Sequence, residues 1–193
     1  MLIVGLTGNI GSGKSTIASV FQCLHIPVYH ADAEAKKMYL QEDVLNRTLS
    51  IAGDQILDHN GQLDLQALGQ LAFADPRILN ALNRMIHPLV QTDFREWTLR
   101  QSHSPYVIQE AAIIFEHGLR QEYDRVIHVS CPEAVAIERI EKRDHLSRKM
   151  IRQRLMFQMS DKEKAHLADF VILNDGTTLV IPQVLEIHQT LTT

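Results

Sequence analysis

The chain begins with a short apolar segment that runs directly into a glycine-rich segment. Residues 2–6 are apolar and of β type, and residues 8–15 read G-N-I-G-S-G-K-S, which is the pattern G-x-x-x-x-G-K-S. Glycines at these positions let the backbone turn so that its N–H groups face inward, and a helix that starts at the loop adds the positive end of its dipole. The pattern therefore predicts a strand, a phosphate-binding loop and a helix in succession.

Several residues of this loop would together bind a nucleoside triphosphate. Lys14 would supply an ammonium group for the β- and γ-phosphates, and Ser15 a hydroxyl group for Mg²⁺. The alternative is a glycine-rich hairpin with an unrelated lysine, and the strand before the loop and the helix after it argue against that alternative. The predicted nucleotide-binding residues of the loop are Gly11, Ser12, Gly13, Lys14, Ser15 and Thr16.

Length and composition restrict what can surround the loop. The 193 residues suffice for one sizeable core with one excursion from it. A content of 45% hydrophobic and 22% charged residues is that of an ordinary globular protein. The net charge of -4 gives the molecule no overall electrostatic attraction to nucleic acid or to membrane surfaces. Cys23 and Cys131 lack the spacing of metal ligands, and neither a membrane span nor a signal peptide is recognisable. We expect a cytoplasmic enzyme without nucleic-acid or membrane partners, and a monomer, with an oligomer left open.

Four further short apolar runs predict strands, at residues 26–29, 106–110, 125–129 and 170–173. Strands that alternate with helical segments imply a parallel sheet covered on both faces. The expected fold class is therefore α/β, a P-loop NTPase three-layer sandwich with a five-stranded parallel sheet.

Residues 40–100 contain no strong strand pattern. Their leucines recur at helical spacing, with breaks expected at Gly53, at Asn60-Gly61 and at Asp75-Pro76. We also expect a helix to end at His87-Pro88, because the residue before a proline disfavours the helical conformation. The sequence thus predicts a single domain with its core at 1–39, 101–140 and 166–193 and a helical insertion at about 40–100.

Two carboxylates lie where strands are expected to end. Asp32 follows the second strand, at the edge of the sheet where ligands bind in open α/β folds, although it could equally cap the next helix. Glu110 ends the third strand, where a P-loop enzyme needs a carboxylate to hold Mg²⁺ through water, and the alternative is an ordinary charge at a strand end.

Basic residues cluster late in the chain. Nine of the 19 lysines and arginines lie between Arg139 and Lys164, and no acidic residue lies between Ser147 and Ser160. A solvated helical face with i,i+4 ion pairs is the alternative, but phosphoryl transfer needs cations on the moving group. The cluster therefore predicts contact with an anionic ligand, and Ser160 with Glu163 predicts a capping box after it.

Together these residues resemble the dephospho-coenzyme A kinase family of P-loop enzymes over nearly the whole length of the chain. The resemblance departs from the common family pattern at Asn9, His30, Leu65, Glu110 and residues 112–114. The motifs that carry it, in the expected order, are residues 5–15, Ala31-Asp32, Gly53-Asp54, Leu63-Asp64, His87-Pro88, Phe115-Glu116, Arg143-Asp144, Arg154 with Gln158, Ala168-Asp169 and Asn174-Asp175-Gly176.

The resemblance implies transfer of phosphate from ATP, with Mg²⁺, to the ribose 3′-hydroxyl of dephospho-CoA. The insertion at about 40–100 would then bind dephospho-CoA, and a helical lid at about 141–165 would exclude water. The residue roles it implies are catalysis by Asp32, Lys14 and Arg143, further nucleotide contacts from Arg139 and Asn174, substrate contacts from Asp32, His87, Glu116 and Arg154, and Mg²⁺ binding by Ser15 and Glu110.

Two other functions are compatible with the loop. A kinase of nucleoside monophosphates or of another small molecule would share the loop, sheet and lid. A nucleotide-binding switch or GTPase would need the motif Asn-Lys-x-Asp, which is absent, and an Asp-x-x-Gly after a buried strand. Residues 58–61 match the second motif only formally, because residues 55–57 make a poor buried strand.

Overall fold

A computed structural model describes all of residues 1–193. The chain forms two compact units, one of Met1–His30 and Thr98–Thr193 and the other of Ala31–Trp97. The second unit contains most of the insertion expected at about 40–100, and it begins earlier because a helix starts directly where the second strand ends.

The first unit contains a five-stranded parallel sheet, as the sequence predicts. Its strand order is β2-β3-β1-β4-β5, so the strand that leads into the glycine loop is central. In the pairing register Leu6 lies beside Glu110 on one side, and Thr7 lies beside His128 on the other. The strands are β1 (Leu2–Thr7), β2 (Val28–His30), β3 (Tyr106–Glu110), β4 (Arg125–Ser130) and β5 (Phe170–Leu173).

Nine α-helices and two short 3₁₀ helices connect the strands. None of these helices combines the length and apolar character that a membrane span requires. The α-helices are α1 (Lys14–Cys23), α2 (Ala31–Met38), α3 (Glu42–Ala52), α4 (Leu65–Ala74), α5 (Pro76–Leu99), α6 (Glu133–Asp144), α7 (Arg148–Leu155), α8 (Asp161–Leu167) and α9 (Val180–Thr192), and the 3₁₀ helices are Asp54–Ile56 and Leu119–Glu122.

Apolar side chains cover both faces of the sheet. Val4 belongs to a core cluster with residues of α1 and α9, whereas its neighbour Ile3 packs against a separate cluster that contains Ile114 and Tyr123. Adjacent residues of a strand point to opposite faces. Each fully buried aliphatic side chain contributes about 1.5–3 kcal/mol relative to an exposed one. The β1 strand is thus held rigidly, and so is the start of the loop that follows it.

The second unit is helical. Gly53 has a φ of 75° where α3 ends, and Pro76 is the first residue of α5. Residues before Asp58 form a 3₁₀ helix, and the Asp58 carboxylate accepts the main-chain N–H groups of Asn60 and Gln62. Residues 58–61 are therefore a local turn, which argues against the switch function.

The expected helix end at His87-Pro88 is wrong. The α5 helix continues through Pro88 to Leu99. An internal proline costs about 3 kcal/mol because it removes a hydrogen bond and clashes with the preceding turn. Burial offsets that cost, since apolar residues on both sides of the proline are at most 6% exposed: Leu82, Met85, Ile86, Val90 and Phe94.

Candidate active site

The glycine loop joins β1 to α1 in a conformation that only glycine adopts easily. Gly11 and Gly13 have φ values of 80° and 89°. A Cβ atom on Gly11 would lie 2.6 Å from the carbonyl oxygen of Ala136, and one on Gly13 would collide with the Asn174 side-chain nitrogen. Gly13 is the N-cap of α1, and because glycine has no side chain, no capping group occupies the N–H groups of the first turn. The start of this helix can therefore bind an anion.

The polar side chains of the loop differ in their accessibility. Ser15 and Thr16 are exposed on the first turn of α1, and Lys14 Nζ donates to the carbonyl oxygen of Gly8 at 2.9 Å. Ser12 is 1% exposed, and its hydroxyl group has no hydrogen-bond partner in the structure. Lys14 is thus held at the loop itself, where its ammonium group can meet a phosphate.

Arg139 and Asn174 lie against the loop, as their predicted role requires. Asn174 Nδ2 donates to the carbonyl oxygen of Ser12 at 2.8 Å. Arg139 Nη1 donates to the carbonyl oxygen of Asn174 at 3.1 Å, and its Nη2 donates to Asn174 Oδ1 at 3.3 Å. Both residues therefore support the loop main chain, and their contact with a nucleotide stays a prediction.

Glu110 forms a pair that the sequence did not indicate. His30 Nδ1 and Glu110 Oε2 lie 2.8 Å apart at the adjacent ends of β2 and β3. The remaining carboxylate oxygen of Glu110 and the Ser15 hydroxyl are hard oxygen donors of the kind that Mg²⁺ prefers. The donor chemistry therefore fits Mg²⁺, although one oxygen of Glu110 is shared with His30. Asp32 is exposed in the first turn of α2, directly after β2.

Glu116 and Asp161 are the centres of two further networks. Glu116 Oε1 lies 2.7 Å from Lys164 Nζ and accepts the N–H of Met159 at 2.8 Å.

Asp161 accepts hydrogen bonds from Ser130 Oγ at 2.6 Å and from the Cys131 N–H, and its carboxylate lies 2.9 Å from His128 Nε2. Burial would raise the pKa of Asp161, but the hydrogen bonds from His128 and Ser130 outweigh it, and the pKa is lowered.

The remaining predicted residues lie in helices. Arg143, whose side chain is 63% exposed, binds the Asp144 carboxylate through Nε at 2.7 Å and Nη2 at 2.9 Å. Arg154 lies in α7, and its charge contributes to lowering the pKa of Asp144, after the larger effect of the Arg143 hydrogen bond. His87 lies inside α5 in the second unit.

A glycine loop between the central strand and a helix of a parallel sheet, with a lysine at the loop, defines the P-loop NTPase class. Within that class, the family model described as CoaE, dephospho-CoA kinase, matches residues 2–179, and the chain belongs to this family.

Relatives support this family over the whole chain. The dephospho-CoA kinase of Bacteroides fragilis strain YCH46 is 36% identical and covers 95% of this chain and 90% of its own length. That of Porphyromonas gingivalis is 35% identical and covers 100% of this chain and 96% of its own length.

Solved structures agree with the fold. TT1252 from Thermus thermophilus has a TM-score of 0.86 and 31% identity, covering 100% of this chain and 98% of its own. A dephospho-CoA kinase from Campylobacter jejuni has a TM-score of 0.69 and 23% identity, covering 98% of this chain and 96% of its own. At that identity the second likeness concerns the fold alone.

Proposed function

We propose that this chain transfers the γ-phosphoryl group of ATP to the ribose 3′-hydroxyl of dephospho-CoA, which gives coenzyme A and ADP as the final step of coenzyme A biosynthesis. The observation that carries the proposal is the fully formed P-loop in a chain of the dephospho-CoA kinase family. We further propose that the enzyme is cytoplasmic and monomeric.

The nucleotide phosphates would bind at the loop. Main-chain N–H groups of residues 11–16 would surround the phosphate oxygens, and Lys14 would neutralise charge on the β- and γ-phosphates. Arg139 and Asn174 would hold the loop in shape and contact the nucleotide from the side. Ser15 and, through water, Glu110 would hold Mg²⁺, which would supply further charge neutralisation.

The acceptor would be positioned by residues outside the loop. Asp32 would orient the 3′-hydroxyl group and accept its proton, and His87 and Arg154 would contact dephospho-CoA. The insertion at about 40–100 would hold this substrate, and the segment at about 141–165 would cover the site as a lid that excludes water. Because the transition state of phosphoryl transfer is loose, positioning and charge stabilisation should matter more than proton removal.

A panel of acceptors tests the proposal against the other small-molecule kinases. ADP formation would be followed with ATP and dephospho-CoA, AMP, adenosine or no acceptor. We expect rapid ADP formation with dephospho-CoA alone. Equal rates with AMP would favour a nucleoside monophosphate kinase, and a rate independent of any acceptor would favour a nucleotide hydrolase.

Substitution of Arg143 tests the role of the basic segment. Because an exposed ion pair contributes only about 0–1 kcal/mol, Arg143→Ala should lower the unfolding midpoint by no more than a few degrees. Loss of a cation near the moving phosphoryl group should lower kcat by about a hundredfold or more. Steady-state kinetics and thermal unfolding would measure the two effects.

Arg77 offers a matched comparison for stability, since it binds Asp75 with the same two-bond geometry and its side chain is 91% exposed. A much larger fall in the unfolding midpoint for Arg143→Ala than for Arg77→Ala would mean that Arg143 is a structural ion-pair residue.

A further inference from the structure

The tip of the P-loop is fastened to the segment between α7 and α8. The N–H of Ile10 donates to Gln158 Oε1 at 2.9 Å, and Asn9 Nδ2 donates to the carbonyl oxygen of Met159 at 3.2 Å. The Ile10 side chain packs against the apolar cluster that includes Ile140 and Ile151. Residues 158–159 therefore set the position of the loop tip through two hydrogen bonds.

The same segment is held from its other side by a buried ion pair. Met159 uses its carbonyl oxygen for Asn9 and its N–H for Glu116 Oε1 at 2.8 Å. Glu116 Oε1 also meets Lys164 Nζ at 2.7 Å, and Lys164, which is 0% exposed, donates to the carbonyl oxygen of Ala112 at 2.8 Å. The contacts thus run without interruption from Lys164 through Glu116 and Met159 to the loop.

Stability alone is a weak reason for such a pair. Removing two charges from water carries a large free-energy cost for each ion, and apolar replacements of similar volume are often neutral or stabilising. The second oxygen of Glu116 is buried and has no hydrogen-bond partner, which adds to the cost. The hydrogen bond to Met159 is what an apolar pair could not supply.

We propose that Glu116 and Lys164 are positioning residues for nucleotide binding, which fix residues 158–159 and thereby the tip of the P-loop. This role rests on the proposed function of the loop, and it replaces the substrate contact predicted for Glu116. Gln158 completes the arrangement by accepting the N–H of Ile10.

Two variants separate positioning from stability. The double variant Glu116→Met with Lys164→Met removes both charges and the acceptor of the Met159 N–H, and Gln158→Met removes the acceptor of the Ile10 N–H. We expect the affinity for MgADP, measured by calorimetry, to fall about tenfold in the double variant and about fivefold in Gln158→Met. The KM for ATP should rise by similar factors, while the KM for dephospho-CoA should stay within about twofold of the parent value.

Arg120 and Asp169 provide a matched control pair. Arg120 Nη2 donates to Asp169 Oδ2 at 2.8 Å, and the same oxygen accepts the N–H of Val126 at 2.7 Å, at the opposite end of the strands. Replacing both with Met should leave the affinity for MgADP unchanged. Unchanged MgADP affinity in a folded double variant would overturn the proposal, and unchanged affinity in Gln158→Met would show that the hydrogen bond to Ile10 does not position the loop. A raised KM for dephospho-CoA alone would also overturn it, because Glu116 would then be a substrate contact. Failure of the parent enzyme to bind MgADP would instead remove the proposed function.

Discussion

Lys14→Ala should almost abolish phosphoryl transfer while leaving the fold intact. The ammonium group is the cation that the loop itself offers to the β- and γ-phosphates, and it lies 2.9 Å from the carbonyl oxygen of Gly8. An arginine finger that stabilises the charge of a phosphoryl-transfer transition state is worth a factor of about 10³–10⁵ in rate, and the loop lysine would neutralise charge on the same phosphates. We therefore expect kcat with ATP and dephospho-CoA to fall at least about a thousandfold.

The comparison for this prediction is Lys37→Ala, which removes an exposed lysine that pairs with Glu34 at 2.7 Å. Both variants should unfold within a few degrees of the parent, because neither lysine side chain is part of the buried core. Substantial turnover in a well-folded Lys14→Ala variant would contradict the assignment of the loop as the phosphate site.

Local patterns made most of the fold predictable. A strand buried on both faces appears in sequence as a short apolar run, and the central strand leads into a loop whose glycines adopt φ values that other residues avoid. Pro76, Gly53 and the Ser160–Glu163 capping box act on their own neighbours, and each ends or begins a helix where the sequence indicates. The exception is Pro88, where burial along α5 outweighs the local preference.

Pairings between distant segments were not predictable. His30 meets Glu110 because β2 lies beside β3, and the strand order follows from packing of the whole sheet. Lys164 illustrates the same limit within the basic segment. Its place among other lysines and arginines suggests an exposed side chain. In the structure the Lys164 side chain is fully buried and its ammonium group lies 2.7 Å from Glu116 Oε1. The same helix contains Lys162, which is exposed, and nothing in the sequence distinguishes the two lysines or indicates the partner of Lys164.

Asp32→Asn should lower turnover with little change in nucleotide affinity. Asparagine preserves the size of the side chain and its ability to bind a hydroxyl group, but it cannot accept a proton. General-base catalysis contributes a factor of about 10²–10⁴, and a loose transition state places this enzyme at the lower end. We expect kcat to fall about a hundredfold and the affinity for MgADP to change less than about twofold, by steady-state kinetics and calorimetry.

Glu133 distinguishes a base from a residue that only favours the start of a helix. Both Asp32 and Glu133 are exposed acidic residues in the first turn of a helix that follows a strand, α2 after β2 and α6 after β4. An acidic residue in this position stabilises a helix by about 0.3–1 kcal/mol, so Asp32→Asn and Glu133→Gln should lower the unfolding midpoint by similar small amounts. Only Asp32→Asn should lower kcat. The two carboxylates share only their interaction with a helix dipole. Equal kcat values in the two variants would therefore show that Asp32 stabilises the start of α2 and is not the base.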